Sequence, residues 1–336
     1  MSPAPRFASR VHPASRRAAH LCWLAQCYFK ASFSFRIKLL PVTHWLLAFA
    51  AVFVWGTNFV VIAWGLSEFP PFIFSTLRFF FTVFPWIFII RRPTTSWKNL
   101  ACFGVLIGAG QFGLLYFAMH RYISPGLASL LMQAQVIFTI ILSLSMNKRP
   151  IRAGQSLALA IAVIGIAWVM WRSAAAPGSS ATPFGVLLIL GSAFCWALAN
   201  LLVQSVGKVN VIAFLIWSSI FAVPVLLLLT AIFDGASPAI HSLINASPRA
   251  WSAVAYQVFG NTLFGFGVWN WLLARHPAAT VTPVALLVPV FGMTSSAWWL
   301  GESLPGWKIA AASLVLLGLG LNAYATRPRR SIPVMS

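Results

Sequence analysis

Arg78 is the residue of this sequence whose position most suggests chemistry. It lies within the apolar run PPFIFSTLRFFFTVFPWIFII, about seven residues after Pro71, which is roughly 10 Å along a helix that rises ~1.5 Å per residue. A charged side chain inside a bilayer is costly and usually faces a polar cavity on a solute pathway. Because a guanidinium fork matches a carboxylate, the sequence predicts that Arg78 anchors an anionic or zwitterionic substrate. The alternative is a structural arginine that snorkels to the surface or pairs internally.

Amide side chains recur within the apolar runs and predict a polar seam through the protein. They are Asn58, Gln111, Gln133, Gln135, Asn200, Gln204, Asn261 and Asn270. Gln133 and Gln135 are two residues apart and do not share one face of a helix, so we expect at most one of them to line a cavity. The alternative role for each amide is a hydrogen bond to a neighbouring helix.

Two prolines and one deep tryptophan complete the predicted cavity. Pro283 and Pro289 interrupt the run TVTPVALLVPVFG, and each removes a backbone hydrogen bond and frees a carbonyl. Such breaks persist where neighbouring groups or a cavity satisfy the backbone. Trp196 lies deeper than the tryptophans at the predicted helix ends. The predicted substrate-binding residues are Arg78, Asn58, Gln111, Gln133, Trp196, Asn200, Pro283 and Pro289.

The elements that must position these residues are membrane helices. Of the 336 residues, 60% are hydrophobic and 8% are charged, against about 25% charged in soluble domains. This excludes an ordinary soluble domain, a disordered chain and a disulfide scaffold. The net charge of +20 would suit nucleic acid, but the cations lie in a basic N-terminal arm and in short loops, as in membrane proteins. We therefore expect a lipid bilayer, and no nucleic acid, as partner.

Apolar runs of about 20 residues, the length that spans a bilayer, predict an all-α integral membrane protein with ten transmembrane helices. We expect these helices near residues 44–66, 71–90, 99–119, 125–146, 153–171, 184–206, 211–232, 250–274, 278–300 and 307–326. A β-barrel is disfavoured because its strands would alternate apolar and polar residues.

The ten helices divide into two halves of five. The halves cover residues 44–171 and 184–326, the small-residue segment 172–183 joins them, and a basic tail covers 327–336. Five helices per half invert the second half relative to the first, and weak self-similarity superposes Ala158 on Ala311 and Gly165 on Gly318. Inverted repeats are typical of secondary transporters, which bind substrate where the halves meet.

The distribution of Lys and Arg predicts that both termini are cytoplasmic. Most cations then face the cytoplasm, and the three acids, Glu68, Asp234 and Glu302, all face outside. The basic arm, residues 1–41, has three possible origins: a transit peptide, a cytosolic arm, or translated sequence upstream of the true start, which we favour.

Motifs for catalysis and for metal or nucleotide binding are absent from the sequence. It has no HExxH, GxSxG, CxxC or Walker-type loop, and no Asp or Glu lies within a predicted span. We therefore expect no enzymatic activity, no cofactor, no metal and no ATPase subunit. A proton relay through membrane carboxylates would have no residues to use.

Several strings in both halves resemble one family. They are Trp55-Gly56-Thr57-Asn58-Phe59-Val60-Val61-Ile62, Leu77-Arg78-Phe79, Pro125-Gly126-Leu127-Ala128-Ser129-Leu130, Gln133-Ala134-Gln135, Ile240-His241-Ser242-Leu243 and Leu286-Leu287-Val288-Pro289-Val290. On these strings, residues 45–326 resemble the EamA type of the drug/metabolite transporter superfamily, and most closely its bacterial exporters of O-acetylserine and cysteine. The resemblance implies two inverted five-helix repeats in the bacterial inner membrane. It also implies export of small metabolites, specifically amino acids of the cysteine pathway, by alternating access.

One motif departs from that family. The family often carries Gly-Glu after the fourth helix of each repeat, which the second half keeps as Gly301-Glu302 and the first replaces by Lys148-Arg149. This favours a structural loop role for Glu302. Other amino acids or drugs are the alternative substrates, and a non-transporting membrane scaffold or enzyme is the alternative of a different class.

Overall fold

The computed structural model describes residues 41–147, 150–175, 180–207 and 209–326. The arm up to residue 40, the tail from 327 and the pair Lys148-Arg149 lie outside the described residues. Within them the elements are helices, with one isolated antiparallel bridge between Ile123 and Ala181. The eleven helices are α1 Val42–Leu66, α2 Pro71–Val83, α3 Trp97–Arg121, α4 Pro125–Met146, α5 Ala153–Ala175, α6 Pro183–Val206, α7 Val211–Asp234, α8 Ala236–Asn245, α9 248–275, α10 Thr282–Leu300 and α11 Gly306–Ala325.

Nine helical segments in the described part of the chain are long and apolar enough to cross a membrane. One of them, Pro71–Phe88, is α2 together with the turn that follows it, and of the eleven helices only α8 and α9 contain no such segment. α9 is roughly 42 Å long at ~1.5 Å per residue, but Gln257, Asn261 and Asn270 make it more polar than the others. Helices occupy all ten predicted positions. The fold class predicted from the sequence, an all-α membrane protein, is confirmed.

Local sequence explains where many helices begin. A proline occupies the first turn of α2, α4, α6 and α9, where its missing N–H needs no partner. Side-chain caps open α3, α6, α7 and α9, because an oxygen of the residue before the helix accepts a hydrogen bond from the backbone N–H three residues on. These capping residues are Ser96, Thr182, Asn210 and Ser247.

Two elements differ from the sequence prediction. α2 ends at Val83 rather than near residue 90, because Pro85 follows and the chain continues as a 3₁₀ turn over Trp86–Phe88. The short helix α8 was not predicted. It turns Ala239 and Ser242 inward and leaves Ile240 and Ile244 exposed, and at ten residues it is too short to give the spanning signal that defined the other helices.

Helices of one half pack against helices of the other. α5 packs along α11, α7 packs against α2 and α3, α6 packs against α3 and α4, and α10 packs against α4. Glycine allows α5 and α11 to approach closely, since a methyl group on Gly318 would lie 2.6 Å from both the Ala158 carbonyl oxygen and the Ala162 nitrogen. Gly165 approaches Val315 in the same way. The two glycines that superpose in the repeat thus hold the same helix pair together.

Candidate functional site

Arg78 lies on α2 at the centre of a buried polar cluster. Its side chain is 2% exposed. Nη1 donates to Gln257 Oε1 at 2.7 Å and to the Tyr116 hydroxyl at 3.3 Å, and Nη2 donates to Thr262 Oγ1 at 3.1 Å. With its amide oxygen facing the guanidinium, Asn261 accepts from both Nη atoms at 3.0 Å. All four acceptors are neutral.

Gln257 joins this group to α1. Its Nε2 donates to Asn58 Oδ1 at 2.6 Å, and the residue is fully buried. The cluster therefore draws on α1, α2 and α3 from the first half of the chain and on α9 from the second half. We call its members the arginine cluster: Asn58, Arg78, Tyr116, Gln257, Asn261 and Thr262.

One helix of each half carries a long π-helical stretch, Leu106–Gly113 in α3 and Tyr256–Phe266 in α9. A π-helix brings residues five apart onto one side and is frequent at functional sites. In α9 this winding turns both Gln257 and Thr262 toward Arg78, and the Thr262 hydroxyl donates to the Gln257 carbonyl at 2.8 Å. The π-helical backbone thus orients the side chains of Gln257 and Thr262 so that both accept hydrogen bonds from Arg78.

The guanidinium of Arg78 has no carboxylate beside it. The sequence contains three acids, and each contacts a helix start elsewhere: Glu68 at α9, Asp234 at α2 and Glu302 at α4. The Phe112 ring lies 3.6 Å from the guanidinium carbon and offsets part of the charge by a cation–π contact. Nε of Arg78 is buried without a hydrogen-bond partner. Within the described residues, the cluster thus holds a buried cation without a counter-ion.

Three of the predicted site residues lie in or beside the arginine cluster. Arg78 and Asn58 belong to it. Gln111 is buried on the π stretch of α3, immediately before the phenylalanine that stacks on the guanidinium. Its carbonyl accepts from the Ser192 hydroxyl at 2.7 Å, which ties the π stretch to α6.

The other predicted site residues lie apart from the arginine cluster. Asn200 Nδ2 donates to Gln135 Oε1 at 3.1 Å, so the member of the closely spaced glutamine pair that contacts α6 is Gln135. Within the described residues, none of the following makes a hydrogen bond to the cluster: Gln133, Trp196, Asn200, Pro283 and Pro289. The backbone break expected at Pro283 is present as a 3₁₀ stretch, Thr282–Leu287, whereas Pro289 lies in the first turn of the α-helical segment Val288–Leu300.

Sequence reasoning missed Tyr116, Gln257 and Thr262 as partners of Arg78. The spacing of Gln257 and Asn261, four residues apart within one span, was a signal that could have revealed a polar helix face. Tyr116 and Thr262 gave no such signal, because their orientation depends on π-helical winding.

Comparison with known proteins supports one family. The model of the EamA-like transporter family matches residues 43–171 and 183–324. A probable amino-acid metabolite efflux pump of Salmonella typhimurium is 35% identical over 86% of this chain and 97% of its own length. The corresponding probable efflux pump of Escherichia coli is 34% identical over 87% and 98%.

More distant matches agree with a transporter of this fold. An uncharacterized transporter of Bacillus subtilis is 26% identical over 82% of this chain and 95% of its own length. A protein of known crystal structure shares the fold with a TM-score of 0.55 and 19% identity, covering 85% of this chain and 97% of that one. The chain belongs to the EamA-like transporter family and is a multi-pass membrane transporter.

Proposed function

We propose that this transporter exports amino-acid metabolites and that Arg78 binds their carboxylate. The observation that carries the proposal is the buried guanidinium without a counter-ion from the chain. A buried unpaired charge is costly, and a bound carboxylate removes that cost while using the bidentate geometry of arginine. The similarity to two probable amino-acid metabolite efflux pumps supports amino-acid metabolites as the substrate class. The resemblance to exporters of O-acetylserine and cysteine makes those two the first substrates to test.

The closed geometry of the arginine cluster suggests how binding and movement are linked. The guanidinium donors are held by neutral oxygens, three of them from α9. A substrate carboxylate would replace these oxygens, and access to Arg78 requires α9 to move away from α2. Since α9 and α2 lie in opposite halves, this motion is the rocking of one half on the other that alternating access requires.

The proposal includes the organisation inferred from the sequence. The two five-helix repeats cover 44–171 and 184–326, joined by 172–183, and the chain lies in the bacterial inner membrane with both termini cytoplasmic. The other predicted residues, Gln111, Gln133, Trp196, Asn200, Pro283 and Pro289, would line the path on either side of the arginine cluster as the halves move.

Uptake into inverted membrane vesicles tests the function directly. The panel contains O-acetylserine, cysteine, other amino acids and hydrophobic drugs, each amino acid paired with its carboxamide. We expect uptake of amino-acid metabolites that falls when the carboxylate is masked. Arg78→Met should raise KM by about 10- to 100-fold, since hydrogen bonds to charged groups are worth about 1.5–3 kcal/mol.

Two variants serve as controls for Arg78. Arg78→Lys keeps the charge but loses the fork and should fall between the parent and Arg78→Met. Arg121→Gln removes an exposed arginine and should leave KM unchanged. A folded Arg78→Met protein that takes up O-acetylserine and every other panel member with the parent KM would refute the role of Arg78. Lack of uptake of any panel amino acid by the folded parent would refute the substrate class.

A further inference from the structure

All three acids of the sequence bridge the two halves of the transporter. Glu68 follows α1 in the first half, and its two carboxylate oxygens accept from the backbone N–H and the hydroxyl of Ser247 at 2.6 and 2.5 Å. Ser247 caps the start of α9 in the second half. A carboxylate at a helix start is favourable, because it satisfies free N–H groups at the positive end of the helix dipole.

The other two acids lie in the second half and contact helix starts of the first half. Asp234 ends α7 in the second half, and its Oδ2 accepts from the backbone N–H of Ile73 in the first turn of α2 at 2.8 Å. Glu302 follows α10, and its oxygens accept from the Gly126 N–H at 2.9 Å and the Ser124 hydroxyl at 2.5 Å at the start of α4. Both contacts join the second half of the chain to the first.

Glu302 also holds a buried cation. Lys308 at the start of α11 is 1% exposed, and its Nζ lies 2.9 Å from Glu302 Oε1. Glu302 thus binds α4 of the first half and α11 of the second half through one side chain.

The three contacts lie at the same end of the bundle. α1, α7 and α10 end there, and α2, α4 and α9 begin there, as their opposite chain directions require. Neutral backbone bonds between the first half and the linker 172–183 lie at the same end: the Ser124 N–H donates to the Ser180 carbonyl at 2.7 Å, and the Thr182 N–H donates to the Tyr122 carbonyl at 2.8 Å. The positive-inside pattern predicts that this end faces outward.

The opposite end joins the halves by a different chemistry. There His44 Nδ1 and His276 Nε2 are 2.7 Å apart, and the Trp217 indole donates to the Ile90 carbonyl at 2.9 Å. No Asp or Glu is available for that end, because all three in the sequence lie at the other.

We propose that Glu68, Asp234 and Glu302 form a carboxylate latch that closes this end of the transporter. The latch holds three helix starts against the opposite half and must release each time a substrate passes this end. Opening costs the charge-assisted hydrogen bonds of each acid, so the latch biases the protein toward the conformation closed at this end. The inference goes beyond the proposed function, because it holds for any substrate.

The latch is tested by the accessibility of cysteines placed beneath it. Ser75→Cys on α2 and Ser129→Cys on α4 are fully buried positions, two and three residues along the helix from the Asp234 and Glu302 contacts. Each is introduced into full-length protein whose four native cysteines are replaced by alanine. A membrane-impermeant maleimide is then applied to whole cells and, separately, to inverted vesicles, so the measurement needs no substrate and no assumed orientation.

Three latch variants are compared at equal amounts of monodisperse protein. They are Glu68→Gln, Asp234→Asn, and the double variant E302Q/K308M, which avoids leaving the lysine buried and unpaired. We expect the labelling rate of the buried cysteines to rise about tenfold in Asp234→Asn and in E302Q/K308M, from one side of the membrane only, as the loss of a charge-assisted hydrogen bond implies. The rise should be smaller in Glu68→Gln, because Glu68 is exposed and water screens its charge. Ser252→Ala on α9, whose hydroxyl bonds only within its own helix, should leave the rate unchanged.

The outcomes decide between a latch and ordinary helix capping. Faster labelling in the latch variants but not in Ser252→Ala supports the latch, whether or not any panel metabolite is transported. Labelling at the parent rate in Asp234→Asn and in E302Q/K308M would overturn it, because both contacts would then be shown not to hold this end closed. Faster labelling from both sides would also overturn it, since it would indicate general loosening.

Discussion

Replacing Gln257 by glutamate should stabilise this transporter and inhibit it. Gln257→Glu preserves side-chain size and places a carboxylate where Oε1 already lies 2.7 Å from Arg78 Nη1. The variant therefore supplies the counter-ion that the arginine cluster lacks. An internal carboxylate would then compete with the carboxylate of the substrate for the same guanidinium.

The expected effects of Gln257→Glu on stability and on KM follow from the hydrogen bonds involved. A neutral hydrogen bond contributes about 0.5–1.5 kcal/mol, and one to a charged group contributes about 1.5–3 kcal/mol. The exchange therefore strengthens the closed cluster by about 1–2 kcal/mol, part of which is offset by desolvation of the new carboxylate. Loss of the Gln257 donor to Asn58 subtracts from the same gain. Because the substrate must displace this stronger partner, KM should rise by up to roughly thirtyfold, the value for the gain before these offsets.

The assay combines thermal unfolding in detergent with uptake in inverted vesicles. We expect Gln257→Glu to unfold at the parent temperature or above while its KM for amino-acid metabolites rises. Asn270→Asp is the matched control, because it places a carboxylate on the same helix at a side chain that bonds only to the Phe266 carbonyl. The control should not raise KM. A Gln257→Glu protein that transports with the parent KM would refute the view that Arg78 binds the substrate carboxylate.

Further predictions concern packing, pH and the buried ion pair. Gly318→Ala should destabilise the protein by about 1–3 kcal/mol, because the added methyl meets the backbone of α5, whereas Gly320→Ala meets nothing within 4 Å and should be neutral or stabilising in thermal unfolding. Hydrogen bonds from its serine partner, with a smaller contribution from a nearby arginine, lower the pKa of Glu68 from its usual 4.5. Its stabilisation should thus be present above pH 4.5 and be lost as the pH falls through the lowered pKa, so the difference in Tm between the parent and Glu68→Gln should vanish in acid. Lys308→Met should cost about 3–5 kcal/mol by leaving Glu302 without its cation, and the double variant E302Q/K308M should recover most of that loss.

Each of these predictions has an outcome that contradicts it. Equal melting temperatures for the two glycine variants would show that α5 and α11 adjust to the added methyl. A difference between the parent and Glu68→Gln that persists in strong acid would mean that ionised Glu68 is not its source. A double variant no more stable than Lys308→Met would show that packing of the lysine stem, rather than the ion pair with Glu302, stabilises the start of α11.

The helices were predictable from the sequence because lipid imposes length and polarity on each of them. Runs of about 20 apolar residues located all ten predicted helices, and Pro85 alone explains the early end of α2. The sequence did not predict α8, because a ten-residue surface helix need not be uniformly apolar. The positions of the spanning helices thus follow from composition. A short amphipathic helix can be predicted only when the surface on which it packs is known.

The centre of the arginine cluster was predictable from the sequence, but most of the partners of Arg78 were not. A lone arginine in an apolar run identified Arg78, and an amide in a neighbouring run identified Asn58. The partners on α9 depend on π-helical winding and on contact between halves that are distant in sequence. Asn200 is predicted to line the same cavity, and its Nδ2 donates to Gln135 Oε1 rather than to a member of the arginine cluster.

Under the proposed function, the uncompensated charge of Arg78 also determines the electrical work of the transport cycle. In alternating access the barrier moves around a fixed site, so the site is connected electrically to one face and then to the other. A full elementary charge moved through 100 mV is worth about 2.3 kcal/mol. A monoanionic substrate neutralises the site, so an inside-negative voltage leaves the loaded outward step unaffected and speeds the return of the empty, positive site. A zwitterion leaves the charge in place in both directions, so voltage opposes its export step as much as it favours the return, and the voltage dependence of export distinguishes the two classes of substrate.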